Sequence, residues 1–164
     1  MNIFELGLGS NNPNFDSNTG QYGKPGASLF GWREYFSNSK IYGGDIDDQI
    51  LFESNNIKTY HCDQKSARSI DRMFTTYFKN TQFDIIKDDA THEYCATYNF
   101  LVNSIKYLKK EGYYIVEDVC RFNYNVFLGE LDNLKYMYNL TDMQLFTIPY
   151  EYNQDDNCLL IINK

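Results

Sequence analysis

Four acidic strand-end segments and one imidazole have types and spacing suited to chemistry. The stretch "FDIIKDDATHE" places Asp88, Asp89 and His92 just after an apolar run, and "YYIVEDV" ends another run in Glu117 and Asp118. A carboxylate and an imidazole three positions apart suit proton removal from a poor nucleophile such as a hydroxyl, because an unperturbed imidazole has a pKa of about 6.5. Asp89 with Glu117 or Asp118 offers only oxygen ligands, which favour Mg²⁺, Ca²⁺ or Mn²⁺ over zinc and would lower the pKa of a bound hydroxyl. The competing reading is structural: His92 and Glu93 open the next helix, and Asp88 or Asp89 faces its positive end. Asp45 in "IYGGD" and Asp63 in "TYHCD" likewise end apolar runs. Each could accept hydrogen bonds from a ribose diol or an adenine amino group, and each could equally serve the following helix as a cap.

The chain opens "MNIFELGLGS", where Gly7 and Gly9 end the first apolar run. Glycine at a strand end lets backbone approach a ligand closely, or simply makes a tight bend. The dinucleotide fingerprint wants a third glycine at position 12, where Asn12 stands, and Asp45 follows much later than the about 20 positions usual for the ribose acid of that fingerprint. A nicotinamide-dependent oxidoreductase on a Rossmann sheet is therefore the second reading. A non-catalytic binding module of the same fold is the third.

These side chains need a scaffold that gathers strand ends. Five short apolar runs, "NIFELGLG", "KIYGGDID", "IKTYHCD", "FDIIKDD" and "YYIVEDV", read as strands. Between them, Leu29, Trp32 and Phe36, and then Ile70, Phe74 and Phe78, recur at helical spacing. Tyr94, Tyr98, Leu101, Ile105 and Leu108 predict one long helix closed by Gly112, with Lys106, Lys109 and Lys110 at its negative end. Alternating strands and helices imply a mostly parallel α/β sheet with helices on both faces. After a further helix at "VFLGELDNLKYMY", the runs "MQLFTIPYEY" and "NCLLIINK", joined by "NQDDN", predict a C-terminal antiparallel hairpin. The polar loop 10–25 is far longer than a usual connection and overhangs the ligand crevice of such a fold, as a lid would.

The bulk composition narrows the partners. The 164 residues suit one domain, and a formal net charge of −7 opposes a general nucleic-acid or anionic-membrane surface. Four scattered cysteines without a C-x-x-C pair suit a reducing, cytoplasmic setting, and no run is long enough to span a bilayer.

In order along the chain, Glu5-x-Gly7-x-Gly9, Asp45, Asp63 and "FDIIKDD" resemble the motifs of class I S-adenosylmethionine-dependent methyltransferases, and the terminal hairpin resembles that family's antiparallel last strand. The resemblance covers essentially the whole chain. It implies a single Rossmann-like methyltransferase domain over 1–164 that uses S-adenosyl-L-methionine. By this analogy the Gly7–Gly9 turn approaches the amino-acid part of the cofactor, Asp45 holds the ribose, and Asp63 with Gln64 flanks the adenine. Glu5, Asn11, Ser28, Ile46 and Asp88 complete the implied cofactor-binding set. "GKPGASLFGWREYF", "IYGGDID" and "DDATH" further resemble sugar O-methyltransferases related to macrolide-glycoside enzymes, whose D-D-G-S-H-like segment is changed here at Ala90 and Thr91. That resemblance implies His92 and Asp89 as catalytic residues, Asp89, Glu117 and Asp118 as ligands of Mg²⁺ or Mn²⁺, and a small-molecule or glycan acceptor. Cover for the acceptor is expected from the 10–25 loop, a second copy in a homo-oligomer, or a neighbouring glycosyltransferase-type domain.

Overall fold

The first strand, β1 (Asn2–Leu6), sends successive side chains to opposite faces of a sheet, and the two faces build different cores. Ile3 joins Leu8, Leu29, Ile41, Ile57 and Ile85 on one face. Phe4 points the other way, into a ring cluster with Phe74, Phe78, Phe83 and Phe100 at centroid distances of 5.3 to 6.1 Å. The heavy aromatic load of the sequence is thus concentrated on one side. The structure is a computed structural model that describes residues 1–15, 17–149 and 157–164.

The remaining elements follow as α1 (Ala27–Tyr35), β2 (Lys40–Asp45), β3 (Glu53–Ser54), β4 (Ile57–His61), α2 (Ala67–Tyr77), β5 (Phe83–Asp88), α3 (Tyr94–Ser104), β6 (Leu108–Val119), α4 (Arg121–Tyr138), β7 (Asp142–Thr147) and β8 (Cys158–Asn163). The eight strands form one sheet in the order β3-β4-β2-β1-β5-β6-β8-β7. Strands β4, β2, β1, β5 and β6 are parallel, whereas β8 runs antiparallel to β6, and β7 antiparallel to β8. The mostly parallel sheet and the antiparallel finish agree with expectation. The "NQDDN" connection lies, apart from Asn157, outside the described residues. Helix α1 packs on the Ile3 face, and α2, α3 and α4 supply Phe74, Phe100 and Phe127 to the opposite face. Because β1 pairs with β2 on one side and β5 on the other, the strand order reverses there, which opens a crevice above the carboxyl ends of β1 and β5.

The long helix expected to end at Gly112 is a correction. Helix α3 stops at Ser104, a 3-10 turn covers Ile105–Tyr107, and Leu108 already belongs to β6, opposite Phe83. Helical periodicity ran on into a segment whose backbone groups are claimed by β5, so sheet pairing prevailed over the local pattern. Lys109 and Lys110 are strand residues rather than a helix end, and Lys109 Nζ lies 2.7 Å from Asp84 Oδ1. The carbonyls of Ile105 and Leu108 instead accept 3.0 Å hydrogen bonds from Lys164 Nζ.

Burial acts to raise the Asp84 pKa, but Lys109 and the Asn2 N–H outweigh it and hold the carboxyl below its ordinary range. A depressed folded pKa contributes stability above the unfolded value that is lost as pH falls through the folded one. Asp84→Asn is therefore expected to cost roughly 0.5–1 kcal/mol at pH 7, discounted for the partly exposed lysine. In urea melts the difference from the parent should shrink as pH drops below about 3.8. A gap that stays constant down to pH 2 would remove the pair as its cause.

Candidate active site

The turn after β1 is shaped by close backbone packing. Gly7 has φ +93°, and a Cβ placed on it would come within 2.0 Å of the Asp89 carbonyl oxygen. Only glycine tolerates that conformation and contact together. The Gly7 N–H donates to the Gly44 carbonyl and the Asp89 N–H to the Leu6 carbonyl, which ties the ends of β1, β2 and β5 together. Above them opens a cavity of about 500 Å³, lined by the Gly7–Gly9 turn, Asp45, Asp63 and Gln64 at one side and Asp89, His92 and Asp118 at the other.

The 10–25 loop covers the glycine turn. The Gly9 and Ser10 carbonyls accept from Thr19 Oγ1 at 3.0 and 3.2 Å, and Phe15, Ser17, Asn18, Thr19 and Lys24 line the cavity. Asn11 does not line it: its amide donates to the carbonyls of Gly20 and Gly23 and so braces the loop.

The strand-end acids have distinct surroundings. Asp45 Oδ2 accepts from the Leu8 N–H at 2.7 Å, and Oδ1 from the Asp47 N–H at 2.9 Å, which fixes the carboxylate at the cavity wall while leaving each oxygen a further lone pair. Ile46 and Asp63 lie beside it on the same wall. Asp88 is buried under the wall, with both oxygens 2.7 Å from Gln64 Nε2, and burial pushes its pKa up to about 7. Gln64 Oε1 in turn accepts from the N–H and hydroxyl of Thr91, so Asp88 acts on the cavity through Gln64.

Glu5 is fully buried and accepts from Ser28 Oγ at 2.5 Å and Trp32 Nε1 at 2.6 Å. Burial raises its pKa, against the pull of Lys87 and these two donors. Lys87 was not singled out from the sequence, although a lysine inside the apolar run "FDIIKDD" was a visible signal. Its Nζ lies 3.0 Å from Glu117 Oε2, 3.2 Å from Asp89 Oδ2 and 3.6 Å from Glu5 Oε1.

At the far wall, Asp89, His92 and Asp118 each offer a ligand atom within 4.8 Å of the others. His92 Nε2 is 3.6 Å from Asp89 Oδ1 and 3.7 Å from Asp118 Oδ2. Both His92 (φ +56°) and Asp118 (φ +52°) adopt left-handed backbone, a strain that clusters at functional sites. A register shift against β8 between Val116 and Val119 re-aims Glu117 and Asp118, and Asn123 Nδ2 donates to the His92 carbonyl. Asp89, accepting from the imidazole, raises the His92 pKa, with Asp118 adding to it against burial. Burial would raise the Asp89 pKa, but His92 and Lys87 hold it below the ordinary range. Of these three, the two carboxylates are the oxygen donors that suit a hard divalent ion, with the imidazole beside them. Glu117, by contrast, is turned to Lys87.

No family model matches the chain. In sequence it is 30% identical over 107 residues to the mycinamicin VI 2''-O-methyltransferase of Micromonospora griseorubida, a match covering 65% of this chain and 26% of that protein. It is 29% identical over 109 residues to the demethylmacrocin O-methyltransferase of Streptomyces fradiae, with the same coverages. The chain thus spans about a quarter of the length of the curated relatives it matches. Among solved structures it resembles the MycE methyltransferase of mycinamycin biosynthesis in complex with Mg, S-adenosylhomocysteine and mycinamycin VI, with a TM-score of 0.70, 20% identity, and coverage of 99% of this chain and 44% of that one. The chain therefore has the class I S-adenosylmethionine-dependent methyltransferase fold, and its sequence relatives are O-methyltransferases named for mycinamicin VI, demethylmacrocin and a rhamnosyl tetracenomycin-C.

Proposed function

We propose that residues 1–164 form one catalytic domain that transfers a methyl group from S-adenosyl-L-methionine to a hydroxyl of a sugar or glycoconjugate. The observation that carries this reading is the meeting of Asp89, His92 and Asp118 across a cavity from a glycine turn and two strand-end acids. The cofactor, when bound, supplies an electrophilic methyl on a sulfonium. Gly7 and Gly9 let backbone approach its amino-acid part, where Ser28 and Glu5 lie. Asp45 and Ile46 would hold the ribose, and Asp63 and Gln64 would flank the adenine. Asp88 aims Gln64, and Asn11 braces the covering loop.

His92 Nε2 accepts the proton of the attacking hydroxyl, and Asp89 orients and electrostatically supports the imidazole as it becomes charged. Asp89 and Asp118, with His92 in reach, would hold Mg²⁺ or Mn²⁺, which would supply a Lewis acid toward the hydroxyl. The acceptor enters past the 10–25 loop, and a second copy or a neighbouring glycosyltransferase-type domain completes its cover. The four cysteines are free thiols, which suits a cytoplasmic setting, and no helix among the described residues is long and apolar enough to cross a membrane.

Titration with S-adenosylhomocysteine, followed by fluorescence of the single tryptophan, tests the cofactor. Trp32 donates to Glu5 of the cavity wall, so binding there should change its emission. NAD should leave it unchanged. A response to NAD alone would favour the oxidoreductase reading, and a response to neither the non-catalytic one.

Calorimetry should also show Asp45→Ala weakening S-adenosylhomocysteine binding by about 1–3 kcal/mol, because a ribose hydroxyl loses a charged acceptor. Asp45→Asn, which keeps an acceptor for one of the two backbone N–H groups, and an unfolding midpoint measured for both variants separate that loss from collapse of the wall. Unchanged affinity in both variants would take Asp45 out of the site.

A further inference from the structure

A lysine in the interior of a central parallel strand is anomalous, since β5 is covered on both faces and such strands are apolar nearly throughout. The side chain of Lys87 is 8% exposed, and that of Glu5 beside it 1%. A buried ammonium persists only where opposite charges and hydrogen bonds offset its lost hydration. Three carboxylates within 3.6 Å do so here.

We propose that Lys87 is an internal cation that holds Glu117 and one oxygen of Asp89, and thereby confines the divalent-cation site to Asp89 and Asp118, beside His92, and weakens its affinity. The inference rests on the reading of Asp89 and Asp118 as a cation site. Its geometric basis is a division of labour among the acids. Asp89 is shared, with Oδ2 facing Lys87 and Oδ1 facing His92, whereas the nearest cation to Glu117 Oε2 is Lys87 at 3.0 Å. Among the described residues, the group that converges within 4.8 Å contains Asp118 but not Glu117.

The consequence is electrostatic as well as geometric. A fixed positive charge in contact with one proposed ligand repels an incoming cation and reduces the negative charge that attracts it. Lys87 also contacts Glu5, which anchors Ser28 and Trp32 of α1, so it links the cofactor wall to the opposite wall. It is a positioning residue, since it acts on the site through Asp89 and Glu117.

Calorimetric titration of the purified chain with Mn²⁺ tests this without reference to turnover. Lys87→Met, close to lysine in length and apolar as the strand requires, should bind Mn²⁺ at least about tenfold more tightly than the parent. Adding Glu117→Gln to that variant should cancel part of the gain, because the released carboxylate is then no longer a ligand. In the parent background Glu117→Gln should weaken Mn²⁺ binding far less than Asp118→Asn, which weakens it by about tenfold or more.

Unchanged or weaker binding by Lys87→Met, with the parent still binding, overturns the inference and leaves the cation site standing. Should Lys87→Met not fold, Glu117→Gln decides: a loss matching that of Asp118→Asn makes Glu117 a ligand and overturns the proposed partition. Absence of Mn²⁺ binding in both the parent and a folded Lys87→Met variant removes the cation site itself. Binding by the variant alone supports Lys87 as the charge that excludes the ion.

Discussion

His92→Ala is expected to lower methyl-transfer turnover by roughly 100- to 10,000-fold while S-adenosylhomocysteine affinity stays nearly unchanged. The size of the effect follows from the role. A sugar hydroxyl is too weak an acid to attack without losing its proton, and His92 Nε2 is the group at the cavity wall with both protonation states accessible. Its position is over-determined: left-handed backbone, a hydrogen bond from Asn123 to its carbonyl, and two carboxylates beside Nε2.

His92→Gln separates the two contributions, because an amide can orient a hydroxyl but cannot take its proton at neutral pH. The glutamine variant should therefore be nearly as slow as the alanine variant in single-turnover assays. If both keep full turnover where chemistry limits the rate, His92 only shapes the turn that leads into α3, and proton removal passes to a carboxylate or solvent.

The second large effect is expected at Gly7. Gly7→Ala places a methyl group 2.0 Å from the Asp89 carbonyl oxygen at φ +93°, where an L side chain is also strained. The contact is with backbone, so no side-chain rotation relieves it, and the Asp89–Ala90 segment must move. We expect a loss of about 2–4 kcal/mol in urea unfolding, together with loss of measurable S-adenosylhomocysteine binding.

Gly9→Ala is the control. Its Cβ would meet the Thr19 methyl at 2.9 Å, a side chain on an exposed loop rather than the backbone of a central strand end, although φ +76° still imposes strain. That variant should lose only about 1–2 kcal/mol. Equal stability of Gly7→Ala and the parent would show that the turn is not clamped between β1 and β5.

The comparison of these two glycines shows how far the sequence was legible. Both stood out as a turn at a strand end, yet nothing local distinguished a glycine pressed against the Asp89 carbonyl from one facing a loop methyl. The same division runs through the acids. Asp88 and Asp89 are adjacent and chemically identical, but Asp88 lies on the buried side of β5 against Gln64, whereas Asp89 opens to the cavity. Strand parity near an end depends on where pairing stops, and that is decided by β1 and β6 rather than by the "DDATH" segment itself.

Local pattern by itself determined the parallel core, the antiparallel finish and the acids at the strand ends, because hydrophobic periodicity and turn chemistry act within a few residues. Only the tertiary structure decided that α3 ends at Ser104 and that the strand read at "YYIVEDV" begins already at Leu108, since β5 offered backbone partners that outweighed a helical pattern. It alone decided that Asn11 braces a loop, that Glu117 faces Lys87, and that Asp118 meets Asp89 and His92 through a register shift. Those outcomes depend on charges and carbonyls brought together from positions 5 to 118, and the free energy of a buried ion pair or a clamped turn exists only once those distant groups have met.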